Sequence, residues 1–165
     1  MNKINDILTL RASHQTLVGL LFGVLGGVYL LNFHINDIWT PNESFYADAV
    51  REMFESGNFL DIKYNYEPRY NKPPLTYWLM ALSSGVFGIN EFGLRLPMVL
   101  TGLGSIWFTY LLGRLQFGEK GGLYAMMMMG VSVQLLSVKQ YASPEVPLTF
   151  FFVAAQIIVL CLSAL

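Results

Sequence analysis

Long uncharged stretches alternate along the chain with one crowded polar segment. The uncharged stretches cover residues 12–36, 73–90, 96–113, 121–138 and 146–165. A helix of about 18 residues is about 27 Å long, which is close to the roughly 30 Å of a bilayer core. The pattern therefore predicts an all-α, polytopic membrane protein with up to five membrane-associated helices.

The stretch 73–90 is the weakest of these candidates for a span. It opens with two prolines and contains the run Ser-Ser-Gly, while Tyr77 and Trp78 are residue types that concentrate at membrane–water interfaces. We expect it to form a helix that lies in the interface plane. A single transmembrane domain of 165 residues then has a leader at 1–14 and four spans, at 15–36, 93–113, 121–139 and 147–165.

The basic residues predict which side each loop occupies. Four of them favour a cytoplasmic leader: Lys3, Arg11, Arg114 and Lys120. The first loop, 37–92, then faces outward from the plasma (inner) membrane, and Glu145 lies on the same face. The basic residues of that loop oppose this orientation: Arg51, Lys63, Arg69 and Lys72. If 73–90 spans instead, Glu145 moves to the opposite face from Lys72.

The polar segment begins with a predicted amphipathic helix of about fourteen residues. Apolar side chains recur along it at helical spacing: Phe45, Ala49, Val50, Met53 and Phe54. Asn42 is expected to be its N-cap, and Gly57 is expected to end it. Residues 58–71 are expected to form a loop that leads into the second surface helix.

Composition narrows the class of protein further. Hydrophobic residues make up 54% of the chain, charged residues 13%, and the net charge is −1. So few charges do not suit a soluble globule, and a neutral balance does not favour nucleic acid as a partner. The expected partner is instead membrane lipid. The single cysteine, Cys161, predicts no internal disulfide, and His14 and His34 are too far apart in sequence to predict a metal site.

Short motifs follow one another in a fixed order: Asn42-Glu43, Tyr46-Ala47, Arg51-Glu52-Met53, Lys72-Pro73-Pro74-Leu75-Thr76-Tyr77-Trp78, Asn90-Glu91-Phe92, Arg95-Leu96-Pro97 and Glu145-Val146-Pro147-Leu148. In this order, and on this membrane pattern, they resemble the N-terminal part of the protein mannosyltransferase and aminoarabinose transferase group. The resemblance implies a GT-C type glycosyltransferase that moves a sugar from a polyprenyl-phosphate carrier to a lipid or protein acceptor. Because members of that group are several times longer, it also implies a truncated form.

The resemblance assigns candidate roles within these motifs. Lys72 and Arg69 are candidates to bind the leaving-group phosphate, because charge-assisted contacts hold phosphates well. Tyr46 is a further candidate substrate-binding residue. Glu43 and Glu145 are candidate catalytic carboxylates beside the acceptor hydroxyl. No cofactor is predicted, and a need for a divalent cation is left open.

Three positions leave alternatives open. Asn42 stands where the group has an Asp taken to be the catalytic base, and an amide does not accept a proton at neutral pH. This favours an alternative function, namely a non-catalytic or degenerate membrane protein that is accessory or binds lipid phosphate. Glu145 replaces an Asp of the group and keeps its charge on a longer arm. Arg95 is expected to pair with Glu91 one helical turn away.

Overall fold

The computed structural model describes residues 12–38, 41–69, 72–138 and 142–163. The predicted leader, 1–14, therefore lies almost wholly outside the described residues. The elements are α1 (Ala12–Leu30), α2 (Pro41–Ser56), β1 (Lys63–Tyr64), β2 (Glu67–Pro68), α3 (Leu75–Phe87), α4 (Glu91–Gly130), α5 (Val133–Val138) and α6 (Glu145–Ser163). The architecture is thus mainly α-helical, as the sequence predicts, with one short antiparallel β-hairpin.

Helix α1 ends earlier than the predicted first span. It ends at Leu30, and Asn32 adopts a left-handed backbone with φ 58°. Asparagine tolerates this conformation better than most residues, so it turns the chain out of the helix. The helix packs against α4, and the Tyr29 hydroxyl donates a hydrogen bond to the Gly130 carbonyl at 3.1 Å. That bond supplies a partner to a carbonyl at the C-terminal end of α4.

Helix α2 begins two residues earlier than predicted. Pro41 is its first residue, so Asn42 lies inside the first turn and is not the N-cap. Proline suits this position because its fixed φ matches a helix and its missing N–H has no helical partner there. The predicted end is confirmed, since Gly57 follows the last helical residue with φ +67°.

The buried face of α2 is less apolar than the periodicity suggests. Ala49, Val50 and Met53 are buried as predicted, but Phe54 is 38% exposed and Glu52 is 4% exposed. The Glu52 carboxylate accepts a hydrogen bond from the Tyr66 backbone N–H at 3.0 Å. Burial of this carboxylate is tolerated because a backbone donor satisfies it.

The predicted loop after α2 contains the β-hairpin. Lys63 and Tyr64 pair with Pro68 and Glu67 across a two-residue turn. Both turn residues have positive φ, 53° at Asn65 and 64° at Tyr66, which is the geometry of a type I′ turn. Two carboxylates of α2 accept hydrogen bonds from the backbone of this turn. Asp48 accepts one from the Asn65 N–H, and Glu52 accepts one from the Tyr66 N–H.

Helix α3 is too short to cross a bilayer. Its 13 residues give a length of about 20 Å against a hydrocarbon core of roughly 30 Å. One face packs on α2 and α4 and buries Tyr77, Met80 and Ser84, while the opposite face exposes Leu82 and Val86. Both faces are apolar, as expected for a helix between protein and lipid.

Helix α4 covers the predicted second span and most of the third. The 40 residues of α4 would be about 60 Å long if straight, but Gly118 breaks it with φ 78° and ψ −174°. The two arms fold back on each other. Gly113 shows how close they are, since a Cβ atom added there would lie only 2.7 Å from the Cβ of Ala125. The predicted loop at 114–120 is therefore a sharp turn at one glycine rather than an extended connection.

The end of α4 differs from the predicted third span, 121–139. The helix stops at Gly130, and α5 begins separately at Val133. Helix α6 then runs from Glu145 to Ser163 and packs along the first arm of α4, where the rings of Phe108 and Phe150 stack with centroids 5.1 Å apart. In the described part of the chain, three helices are long and apolar enough to cross a membrane: α1, α4 and α6.

We expect Gly122→Ala to destabilise the protein, because the two arms of α4 touch at this glycine. Its new Cβ would lie 2.9 Å from the Tyr110 carbonyl oxygen and 2.9 Å from the Arg114 Cβ. Overpacking of this kind costs about 1–3 kcal/mol, and thermal unfolding in detergent measures it. The control is Gly23→Ala in α1, where nothing lies within 4 Å of the new Cβ. An equal melting temperature for the two variants would contradict close packing of the arms.

Candidate active site

A buried ion pair joins the start of α2 to the start of α4. Arg95 is fully buried and Glu43 is 1% exposed. The Arg95 Nε donates to Glu43 Oε1 at 2.6 Å, and Nη2 donates to Oε2 at 2.8 Å. The expected pairing of Arg95 with Glu91 is therefore wrong. Arg95 points into the protein, where a two-pronged contact with a carboxylate compensates for the loss of hydration.

The same arginine also fixes the segment that follows α1. Its Nη1 donates to the Asn36 carbonyl at 2.6 Å and the Phe33 carbonyl at 3.3 Å, and Nη2 donates to the Asp37 carbonyl at 3.3 Å. Arginine carries five N–H donors in a planar fork, so one side chain satisfies several acceptors at once. The exit of α1 is thus tied to the first turn of α2.

Glu43 has a third partner in the segment that precedes α6. Its Oε1 accepts a hydrogen bond from the Ala142 backbone N–H at 2.8 Å. Ala142 and the following Ser143 are both buried. Glu145, the first residue of α6, lies three residues beyond the bonded amide. The carboxylate of Glu43 therefore connects the first loop to the segment that carries Glu145.

A cavity of about 240 Å³ lies between the beginnings of α3 and α6. Both helices contribute their first turns to its wall, so the positive ends of two helix dipoles flank it. Two charged residues of opposite sign, Lys72 and Glu145, are among the residues that line it, and the other lining residues are Pro73, Leu75, Thr76, Pro144, Pro147, Leu148 and Phe151. The cavity thus combines a few polar groups with a largely apolar wall, as ligand sites do.

Both charges of the cavity lie at the protein surface. Lys72 and Glu145 are exposed, and among the described residues no ion pair involves either of them. Both are therefore available to a ligand that carries a phosphate or a hydroxyl group.

Aromatic rings hold Arg69 in a fixed position. Its guanidinium carbon lies 4.6 Å from the centre of the Phe45 ring and 5.5 Å from that of Tyr64. Its Nε donates to the Tyr77 hydroxyl at 3.1 Å. Contacts of a cation with ring faces are favourable, and they restrict where the guanidinium points.

The hydroxyl of Tyr46 is buried next to the cavity residues. Its ring packs against Tyr77 with centroids 4.8 Å apart, and no hydrogen-bond partner for its hydroxyl is found in the described part of the chain. Burial raises the pKa of Tyr46 to about 12, and nearby Tyr77 and Glu145 raise it while Arg69 lowers it. The hydroxyl therefore stays protonated at neutral pH and is able to donate a hydrogen bond.

The predicted site residues fall into two groups in the structure. Lys72 and Glu145 line one cavity, and Arg69 and Tyr46 are joined through Tyr77 beside it. Glu43 lies apart, in the ion pair with Arg95, and the exposed Asn42 precedes it in the first turn of α2. Among the described residues, no group of histidine, cysteine and acidic side chains is arranged to hold a metal ion.

The sequence analysis did not predict that Arg95 pairs with Glu43. Its positive charge stands between the uncharged stretches 73–90 and 96–113, and only Glu91 lies between them with it. A charge at the edge of a membrane helix commonly has a partner in the protein interior, and this signal pointed to a distant carboxylate. The bond from Ala142 to Glu43 left no signal, because a backbone amide carries no sequence information.

Solved structures share this fold. The chain superimposes on the crystal structure of ArnT from Cupriavidus metallidurans in the apo state with a TM-score of 0.81 over 90% of its length, at 23% identity. It superimposes on the same protein bound to undecaprenyl phosphate with a TM-score of 0.80 over 88% of its length, at 24% identity. The chain covers 28% and 27% of those two chains.

Curated relatives have related sequences. A protein of uncharacterised function from Aquifex aeolicus is 46% identical over 75% of this chain. An undecaprenyl phosphate-alpha-4-amino-4-deoxy-L-arabinose arabinosyl transferase 2 from Pseudomonas fluorescens is 31% identical over 80% of it. The chain spans about a quarter of the length of each, 25% and 24%.

The apolar helices, the cavity and the relatives together place the chain in the class of multi-pass membrane proteins with the GT-C glycosyltransferase fold. Residues 71–164, more than half of the chain, match the family of dolichyl-phosphate-mannose-protein mannosyltransferases. The chain belongs to that family.

We expect Arg95→Met to destabilise the fold strongly, because it leaves the carboxylate of Glu43 buried without its cation. Loss of one partner of a buried pair costs about 3–5 kcal/mol, and the midpoint of thermal unfolding measures it. Arg51→Met is the matched control, since Arg51 is half-exposed and its ion pairs among the described residues are with Asp48 and Glu55 on its own helix. Equal stability of the two variants would show that Arg95 does not sustain the junction of α2 and α4.

Proposed function

We propose that the chain is part of a membrane glycosyltransferase that moves a sugar from a polyprenyl-phosphate carrier to a lipid or protein acceptor. The observation that carries this proposal is the cavity in which Lys72 and Glu145 face one ligand-sized space. A cation for the leaving phosphate and a carboxylate for the acceptor hydroxyl are the two charges that this reaction needs. They come from two segments that are 73 positions apart in the sequence.

Lys72 would bind the phosphate of the carrier. A lysine ammonium and the positive ends of two helix dipoles favour the same anion. Leu75, Leu148 and Phe151 provide apolar surface for the hydrocarbon next to the phosphate. Support comes from the solved relative whose bound ligand is undecaprenyl phosphate. Arg69 would add positive potential from beside the cavity.

Glu145 would act on the acceptor hydroxyl. Of the two candidate carboxylates, Glu43 has both oxygens engaged by Arg95 and one also by Ala142, whereas Glu145 is exposed at the cavity. A general base needs a lone pair that can reach the proton it accepts. We therefore assign the base to Glu145 and assign Tyr46 as a donor to the bound substrate.

The proposed site also implies an arrangement in the membrane. If the second arm of α4 is continued by α5 as far as Val138 to complete one crossing, then α1, the first arm of α4, the second arm with α5, and α6 make four crossings. The first loop and Glu145 then share the outer face of the inner membrane, with α3 lying in the interface. Support comes from the length of α3 and from the turn at Gly118.

Asn42 supports a second candidate function, a non-catalytic protein that binds lipid phosphate. Its amide takes the place of the carboxylate that the resemblance implies, and positioned acid–base groups contribute roughly 10²–10⁴-fold to rates. The two candidates differ in one measurement, transfer of sugar from an undecaprenyl-phosphate-linked donor. Binding without transfer, in a full-length relative that carries Asn at this position, would favour the second candidate.

We expect Lys72→Ala to weaken binding of undecaprenyl phosphate by about tenfold or more. A hydrogen bond to a charged group contributes about 1.5–3 kcal/mol, and each 1.4 kcal/mol is a factor of ten in Kd. Titration of the lipid into detergent-solubilised protein measures the change. The control is Lys63→Ala on the hairpin, whose ammonium pairs with Asp61 at 3.4 Å. Unchanged affinity in Lys72→Ala would reduce this lysine to an interfacial anchor.

We expect Tyr46→Phe to leave thermal stability unchanged or slightly higher while it weakens lipid binding severalfold. The hydroxyl has no hydrogen-bond partner to lose among the residues that the structure describes, and its removal deletes a buried group that costs about 1–3 kcal/mol when unpaired. The matched control is Tyr77→Phe, which removes a hydroxyl that accepts from Arg69 and therefore lowers stability. If Tyr46→Phe binds the lipid with wild-type affinity, then Tyr46 packs against Tyr77 and does not contribute to binding.

A further inference from the structure

Glu43 makes contacts that a role as the catalytic base does not explain. One carboxylate is bonded to a side chain of α4 and to a backbone amide of the segment before α6. It lies at the start of α2, and Arg95 extends the same junction to the exit of α1 through the carbonyls of Asn36 and Phe33. Four parts of the chain thus meet at this buried ion pair.

We infer that Glu43 and Arg95 are positioning residues that set where Glu145 stands relative to Lys72. The inference rests on the proposed function, because it gives the spacing of the two charges a purpose. Lys72 lies three residues before the first residue of α3, and α3 packs on α2 and α4. Glu145 is the first residue of α6, and the Ala142 bond is a polar contact that ties the preceding segment to α2, beside the apolar packing of Ala142 in the same cluster as Ala49 and Met53.

The geometry favours this role over a general contribution to stability. Only two residues, Ser143 and Pro144, separate the bonded amide from Glu145, so little freedom remains between the anchor and the cavity. The anchor itself does not rotate freely, since Arg95 grips both carboxylate oxygens. A displacement of about 1 Å in a reacting group is enough to reduce a rate by roughly a hundredfold.

Glu52 provides a matched control on the same helix. It is also a buried carboxylate, and it also accepts a backbone N–H, but its partner is Tyr66 in the β-hairpin. If buried carboxylates merely stabilise α2, then Glu43 and Glu52 variants behave alike. If Glu43 positions Glu145, only its variants disturb the separation of α3 and α6.

The test is a distance measurement by pulsed electron paramagnetic resonance on the whole chain in lipid nanodiscs. Spin labels are placed at Leu82→Cys on α3 and Phe152→Cys on α6, both more than 60% exposed, in a Cys161→Ala background. Glu43→Gln is expected to broaden or shift the distance distribution, and Glu52→Gln is expected to leave it as in the wild type. Glu43→Asp, which keeps the charge on a shorter arm, is the second variant in case Glu43→Gln does not fold.

Binding of undecaprenyl phosphate to the same proteins separates the possible outcomes. We expect Glu43→Asp to weaken binding by about tenfold, and Glu52→Gln to bind like the wild type. A wild-type distance distribution in both Glu43 variants would overturn the inference, whatever the affinity. Failure of the wild-type protein to bind the lipid would instead contradict the proposed function, and the distance measurement would still decide the positioning role.

Discussion

The ion pair between Glu43 and Arg95 is the interaction on which the junction of the helices depends. Charged residues make up only 13% of the chain, yet both members of this pair lie in the interior, where an unpaired charge is costly. Each is acceptable only because the other is present, together with the carbonyls and the amide that complete their hydrogen bonds. The exit of α1 and the starts of α2 and α4 are thereby fixed at one point, and the segment before α6 is bonded to it.

Glycines that allow neighbouring helices to approach closely determine how α1 and the two arms of α4 pack. The two arms of α4 contact each other through Gly113 and Gly122, and Gly130 lies against Leu25 of α1. In a membrane the hydrophobic effect does not drive helices together, so their packing depends on small residues that admit a neighbour. The glycines of α1 at positions 19, 23, 26 and 27 have no such neighbour among the described residues, so sequence alone does not reveal which glycines pack.

The cavity lies where polar helix ends meet apolar helix surfaces. Its charges come from the ends of α3 and α6, where backbone dipoles and exposed side chains are available, and its apolar wall comes from the helices themselves. A site for an amphiphilic ligand requires both environments within a few ångströms. Neighbouring Tyr46 and Arg69 are held by contacts with aromatic rings, which keep their polar atoms in place next to the cavity.

The sequence by itself determined the membrane character, the amphipathic helix with its end at Gly57, a helix within 73–90 and the family. These follow from local patterns: uncharged runs, helical periodicity, a left-handed glycine and motifs in order. Four spans and their orientation stay a prediction. Tertiary structure alone decided that Arg95 binds Glu43 rather than Glu91, that Glu52 is buried, and that Lys72 and Glu145 line one cavity. The reason is that such contacts join residues far apart in the chain, and periodicity only reports which face of one helix a residue occupies.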